Sequence, residues 1–271
     1  MSLWVLGGDA RSRFAAQYLQ EYGFRVQTYG VPERTDSPLP ESLSDVILPF
    51  PSFNGDFLRG KKGILVEDVL LRTNERSRVF GGAFGAWAEV FLARGARLYD
   101  FYGAEPFTTL NAVPTAEGAI CLAIENSHIT LHDANCLVIG FGRCGKALAE
   151  RLQALHSHVT VSARRSEDLA LAASMGFSTD ETAIWRYNLK QYDFIFNTVP
   201  AQVFSEAQLD AIRPECLIIE LASMPGCIPE SRQRFLNYRF APALPGRFSP
   251  KTAGVLYAQS MIRVIEKERL H

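Results

Sequence analysis

Leu137-Val138-Ile139-Gly140-Phe141-Gly142-Arg143-Cys144-Gly145 decides the fold. An apolar run of strand length meets a GxGxxG spacing, and Gly145 opens a stretch of helical spacing that runs to Leu155. The glycine spacing alone is a weak signal. Between a strand and an amphipathic helix it specifies a dinucleotide site. Gly140 permits the tight turn, Gly142 lets the backbone approach a pyrophosphate, and Gly145 lets helix and strand pack closely. The helix start, with Arg143 and Cys144, offers N–H groups and a positive dipole end to the phosphates. The competing reading is a glycine turn in a parallel sheet with no ligand.

Working downstream, Val159–Ser162, Phe194–Phe196 and Leu217–Ile219 are further strand candidates, and Phe240-Ala241 closes another. Ser166–Met175 and Ser205–Ile212 are the helices between them, with Ser166 expected as an N-cap and Gly176 as a stop. An NAD site places Asp or Glu at the end of the second strand, roughly 20 residues past the glycines. Here Val161-Ser162-Ala163-Arg164-Arg165-Ser166 offers two arginines and two serines instead. Guanidinium groups fit a 2′-phosphate in forked geometry, so the cofactor expected is NADP, with NAD as the alternative. The bland alternative is a pair of solvated arginines at a helix start. Asn197-Thr198-Val199-Pro200 ends the strand after Phe194 and should lie under the nicotinamide ribose. Glu220 and Ser223 fall at the same edge.

Working upstream, Leu3–Leu6, Arg25–Tyr29, Val46–Leu48, Arg78–Phe80 and Arg97–Tyr99 alternate with helical stretches at Arg13–Tyr22 and Gly85–Arg94. That is a second βαβ series. The expected architecture is therefore α/β, with two Rossmann-like domains of parallel sheets and a cleft between them. Residues 1–112 form a flavodoxin- or Rossmann-like substrate domain, completed by a C-terminal helix over 251–271, and 113–250 form the dinucleotide domain. Two long spacer helices join them, one starting at Pro114, which suits a first helical turn, and one near Lys251.

A net charge of −1 gives no field that steers the chain to nucleic acid or anionic lipid. No apolar run looks long enough to cross a membrane, and the N-terminus goes straight into a strand, so the cytoplasm is the default. The cysteine count of 5 is odd and no CxxC occurs, so the thiols are expected reduced. No metal-ligand cluster stands out.

Several further segments stand out, two of which, 111–118 and 250–254, a generic Rossmann dehydrogenase has no reason to carry. They are Gly7-Gly8-Asp9-Ala10-Arg11, Asn111-Ala112-Val113-Pro114-Thr115-Ala116-Glu117-Gly118, Leu221-Ala222-Ser223-Met224-Pro225-Gly226, Ala241-Pro242-Ala243-Leu244-Pro245-Gly246 and Pro250-Lys251-Thr252-Ala253-Gly254. With Gly140–Arg143 and Asn197–Pro200, this series resembles the A-type subunit of dipicolinate synthase along nearly the whole chain. The resemblance implies oxidation of a dihydro- or hydroxy-tetrahydrodipicolinate, a product of the lysine-pathway branch, to the aromatic diacid. It implies a pyridine nucleotide, partnership with the flavoprotein B-type subunit of the synthase, further copies of this chain, and the mother cell of a sporulating bacterium. The chain departs from the family pattern at Met224, where arginine is usual, and at Arg247 and Phe248. Either Arg247 replaces that arginine or the substrate differs.

A dicarboxylate substrate needs cationic or N–H-rich groups and an acid–base group. Arg11, Thr115, Thr252 and Arg247 are the binding candidates, and Glu117 and Lys251 the catalytic ones. Each has a plainer reading: a loop arginine for Arg11, an N-cap for Thr115, helix-dipole complement for Glu117, a surface lysine for Lys251. Asp9 is either an ion-pair partner of Arg11 or a catalytic acid. The rival enzyme is a hydroxyacid dehydrogenase of similar build, which needs a histidine after the last Rossmann strands. This chain has none between Phe194 and Lys251. The rival from another class is a non-catalytic NADP-binding scaffold or sensor.

Overall fold

The computed structural model describes residues 2–182, 184 and 188–269. Packing divides the chain into two compact units. Unit 1 comprises Met1–Asn111 and Ser249–His271, and unit 2 comprises Ala112–Phe248.

Unit 1 is built on β1 (Ser2–Leu6), β2 (Arg25–Tyr29), β3 (Asp45–Ile47), a small hairpin of β4 (Phe53–Asn54) and β5 (Phe57–Leu58), β6 (Arg78–Gly81) and β7 (Arg97–Asp100). Its main sheet runs β2-β1-β3-β6-β7, all parallel. Alternation along β1 sets the two faces. Leu3 and Val5 join the core under α1 (Ala10–Glu21), whereas Trp4 and Leu6 join the opposite core with α2 (Val66–Leu70) and α3 (Trp87–Ala93).

Unit 2 contains β8 (Asn135–Ile139), β9 (His158–Ala163), β10 (Ser178–Glu181), β11 (Phe194–Asn197), β12 (Leu217–Glu220) and β13 (Tyr238–Phe240). The sheet runs β10-β9-β8-β11-β12-β13, again all parallel. This is the doubly wound dinucleotide order, which reverses between β8 and β11. Leu137 and Ile139 face a core with Ile195 and Ile218. Cys136 and Val138 face the other, with Phe194 and Phe196. β10 was not foreseen. Its Ser-Thr-Asp-Glu sequence carries no apolar run, because an edge strand needs to bury little.

α4 (Phe107–Glu125) corrects one expectation. The helix starts at Phe107, and Pro114 lies inside it rather than in its first turn. It is also long and apolar enough, by length and composition, to cross a membrane, with mean hydropathy 1.2, contrary to the sequence reading. Ala116, Ala119, Leu122 and Ala123 nevertheless form one face inside the core of unit 2. Further along, α5 (Arg143–Ala154), α6 (Ser166–Ser174), α7 (Glu206–Ala211), α8 (Glu230–Gln233) and α9 (Leu244–Phe248) complete unit 2. α10 (Pro250–Arg269) packs on α1 in unit 1, where Tyr257, Met261 and Ile265 enter the same core as Ala15 and Leu19. Tyr257 is anchored there by its hydroxyl, which donates to the Leu48 carbonyl at 2.9 Å. All five cysteines are free, and burial pushes the Cys136 and Cys216 thiols up to about 12.

Candidate functional site

β8 ends at Ile139 and the chain turns at Gly140 with φ +92°. A Cβ there would lie 2.4 Å from Thr198 Oγ1 and 2.8 Å from Val199 Cγ2, so the turn after β11 closes directly over this glycine. A Cβ on Gly145 would lie 2.1 Å from the Gly140 carbonyl oxygen, which fixes the close approach of α5 to the strand. Gly142 is different: no atom lies within 4 Å of a Cβ built there. Packing within the protein accounts for two of the glycines and leaves the third bare. Gly142 is the N-cap of α5, and the N–H groups of the first turn project from that end of the helix. The bare glycine, the helix start and the reversal of strand order together fit a dinucleotide pyrophosphate. Cys144 beside them stays a thiol, because burial raises it more than the neighbouring Arg143 charge lowers it.

After β9, Arg164 is exposed and forms no ion pair among the described residues. Arg165 gives Nε and Nη2 to the Asp168 carboxylate at 2.8 and 2.9 Å. Two expectations need correction here. Ser162 is fully buried, and its hydroxyl lies 2.8 Å from that of Thr182, so it faces the protein and not a ligand. Ser166 is the first residue of α6, and the N-cap is Arg165, with no side-chain capping bond. The acids of the first turn, Glu167 and Asp168, complement the dipole instead.

Across the reversal point, Asn197 and Glu220 are both fully buried at the ends of β11 and β12. Glu220 Oε1 accepts from Asn197 Nδ2 at 2.6 Å and from the Ala222 N–H at 3.0 Å, and Oε2 accepts from the Cys227 N–H at 2.8 Å. Burial pushes the Glu220 carboxyl above its ordinary 4.5, against the pull of these donors. The apolar run Leu217–Ile219 pointed to a strand. Nothing in it announced that the acid at its end would hold two loops.

In unit 1, Asp9 caps α1 by accepting the Arg11 N–H at 2.9 Å, and its carboxylate also binds the Arg11 guanidinium. The ion-pair reading of Asp9 therefore describes what it does. Gly254 in α10 sits against this turn: a Cβ on it would lie 2.4 Å from the Arg11 carbonyl oxygen. The first turn of α10, with exposed Lys251 and Thr252, is thus brought beside the first turn of α1.

In unit 2, Thr115 and Glu117 lie well inside α4, so neither belongs to a helix start, and neither the anion-binding nor the dipole argument applies to them. Glu117 is an exposed carboxylate whose Oε1 lies 3.5 Å from Arg151 Nε on α5. Arg247 stacks its guanidinium over Phe248 and reaches Glu125 at 3.5 Å. Gly118 is where α4 and α9 touch, since its Cβ would lie 3.0 Å from Leu244 Cβ and 3.1 Å from Phe248. A cavity lined by Asn135, His158 and Ser178 opens at the amino ends of the strands, away from the Gly140 turn. Among the described residues no cluster of metal ligands occurs.

A doubly wound sheet with this glycine turn defines the fold of NAD(P)-dependent oxidoreductases. Residues 117–223 match the family model for the NAD-binding domain of D-isomer specific 2-hydroxyacid dehydrogenases. Over 98% of its length the chain is 30% identical to the A-type subunit of dipicolinate synthase from Bacillus subtilis strain 168, covering 96% of that protein. It therefore belongs to the family of dipicolinate synthase A-type subunits. The crystal structure of that subunit from Bacillus halodurans superposes with a TM-score of 0.88 at 26% identity, over 97% of both chains. The corresponding crystal structure from Bacillus subtilis gives 0.85 at 27% identity, over 100% of this chain and 97% of that one.

Proposed function

We propose that this chain oxidises a dihydro- or hydroxy-tetrahydrodipicolinate to dipicolinate with NADP, as the A-type subunit of a dipicolinate synthase. The observation that carries the proposal is the bare Gly142 at the start of α5, at the strand-order reversal, in a chain of this family. The bound nucleotide supplies a hydride acceptor. The residues of the chain bind and orient. The first turn of α5 holds the pyrophosphate. Arg164 and Ser166, with Arg165 shared with Asp168, take the 2′-phosphate, which favours NADP over NAD. The turn Asn197–Pro200 supports the nicotinamide ribose. Arg11, Lys251 and Thr252 offer positive charge and a hydroxyl to the carboxylates of the substrate. Lys251 takes the acid–base role in preference to Glu117, which is engaged with Arg151. From a hydroxylated substrate, water leaves first. With the nucleotide bound as hydride acceptor, Lys251 would take up the ring proton that the oxidation releases. The flavoprotein B-type subunit of the synthase and further copies of this chain are the proposed partners, and the mother-cell cytoplasm of a sporulating bacterium is the proposed location.

Purified protein, given NADP and freshly made lysine-pathway synthase product, should generate NADPH absorbance and dipicolinate together. NADPH without dipicolinate would overturn the substrate assignment. The family-model match favours a second reading, oxidation of a small 2-hydroxy acid. Turnover of such acids, with none of the synthase product, would establish it. Tight NADP binding with no turnover of either would mark a sensor.

A further inference from the structure

We infer that Glu220 is a positioning residue for the nicotinamide half of the dinucleotide site, holding in place, through Asn197, the turn that closes on Gly140. The inference rests on the cofactor reading above. Asn197 connects the two ends. Its Nδ2 donates to Glu220 Oε1 at 2.6 Å and to the Val199 carbonyl at 2.8 Å, and its Oδ1 accepts the Val199 N–H at 3.1 Å. Thr198 then donates its hydroxyl to the Ile139 carbonyl at 2.8 Å. Hydrogen bonds, linked through the backbone of the Asn197-Thr198-Val199 turn, thus tie the end of β12, through β11, to the end of β8. At its far end, Thr198 and Val199 fill the space that a Cβ on Gly140 would need.

The same carboxylate staples the loop Ala222–Cys227 at both ends, through two backbone N–H groups. Gly226, with φ +73°, is shaped to this arrangement, because a Cβ there would lie 2.7 Å from Glu220 Oε2. A fully buried carboxylate at the end of an apolar strand is unfavourable for folding unless all its acceptor sites are used. Here both oxygens accept, on two turns, and no cation pairs with it among the described residues. An apolar residue would serve the core better. What requires a carboxylate is the fixed relation of the two turns. The network does not extend to Arg164–Ser166 after β9, on the other side of β8. Its loss should therefore be felt by one half of the cofactor only.

The test is a titration of the full chain with NADPH and NADH, and with 2′,5′-ADP and 5′-AMP as probes of the adenosine half. In Glu220→Gln the amide presents N–H groups where donors already point. Affinity for the preferred dinucleotide should fall at least tenfold, while the matching adenosine probe changes less than twofold. Asn197→Ser cuts the line while leaving Glu220 its backbone donors, and should give the same split. It decides the matter alone if Glu220→Gln does not fold. Unchanged dinucleotide affinity, or parallel loss of both probes, would overturn the inference. Failure of the unaltered chain to bind either dinucleotide would overturn the cofactor reading itself.

Discussion

The Asp9 carboxylate holds the Arg11 guanidinium on two sides, with Nε 3.0 Å from both oxygens and Nη2 2.7 Å from Oδ2, and it also caps α1, whose first turn contains Arg11. Burial alone would raise Asp9, but the Arg11 hydrogen bonds and charge outweigh it and hold the carboxyl below its ordinary 3.8. A depressed acid stabilises the fold above its unfolded value, and that contribution disappears as pH falls through the folded value. Arg11→Ala should therefore cost about 1 kcal/mol at neutral pH, the discounted figure for a pair whose acid is half exposed. The gap between variant and unaltered protein should close as pH is taken well below 3.8. Urea melts across that range check it, and a gap that persists in acid would refute the account.

Gly254 and Gly142 should respond oppositely to alanine. Within a helix, glycine to alanine normally adds about 1 kcal/mol. At Gly254 the new Cβ would lie 2.4 Å from the Arg11 carbonyl oxygen and 3.1 Å from the Ala15 nitrogen, both backbone atoms that cannot rotate away. Overpacking of about 1–3 kcal/mol should win, and Tm should fall. Gly142→Ala meets open space, so stability should change by no more than about 1 kcal/mol, the scale of an N-cap exchange. Dinucleotide affinity should still drop more than tenfold. A stable Gly254→Ala, or a Gly142→Ala that binds normally, contradicts this.

Arg164 should set cofactor choice more than Arg165. Losing one charge-assisted bond to a phosphate costs about 1.5–3 kcal/mol, so Arg164→Ala should weaken NADP binding by more than tenfold and leave NAD nearly unchanged. Arg165→Ala should have a smaller effect, because Asp168 already holds that guanidinium. Isothermal titration with both nucleotides tests the order. Equal affinity of the unaltered protein for NAD and NADP would end the assignment.

Lys251 lies in the exposed first turn of α10, close in the fold to the Arg11 turn. Lys251→Ala should lower kcat or raise the substrate KM at least tenfold, with NADP affinity unchanged. Normal turnover in this variant would remove Lys251 from the site.

Most of both sheets was legible because parallel strands covered on both faces are short, uninterrupted apolar runs. β10 was not, because Ser178–Glu181 is polar. The start of α4 was misread because Pro114 looks like a helix opener, whereas the helix begins seven residues earlier and carries the proline within it. The segments that set this chain apart in sequence prove to pack in pairs. Gly118 meets Leu244 and Phe248, and Gly254 meets Arg11. Spacing along one chain cannot reveal such pairs. The partners that Ser162, Arg165 and Glu117 find in Thr182, Asp168 and Arg151 were hidden for a related reason, since a side chain's engagement depends on neighbours that the strand order brings close.

That α10 completes the core around α1 reverses the usual order of events during synthesis. Domains generally fold as units in the order they emerge from the ribosome. Here Ala112–Phe248 is an unbroken stretch, and every residue it needs has been made before Ser249 appears. The apolar face formed by Ala15, Ala16 and Leu19 must wait for Tyr257, Met261 and Ile265, about 240 residues later in the chain. Chains truncated after Phe248 and released should accordingly yield a protease-resistant core from the later-made unit while residues 1–111 are still cleaved. Residues 1–111, made before unit 2, are thus the later to become a folded body, and damage to α10 is felt in the core around α1.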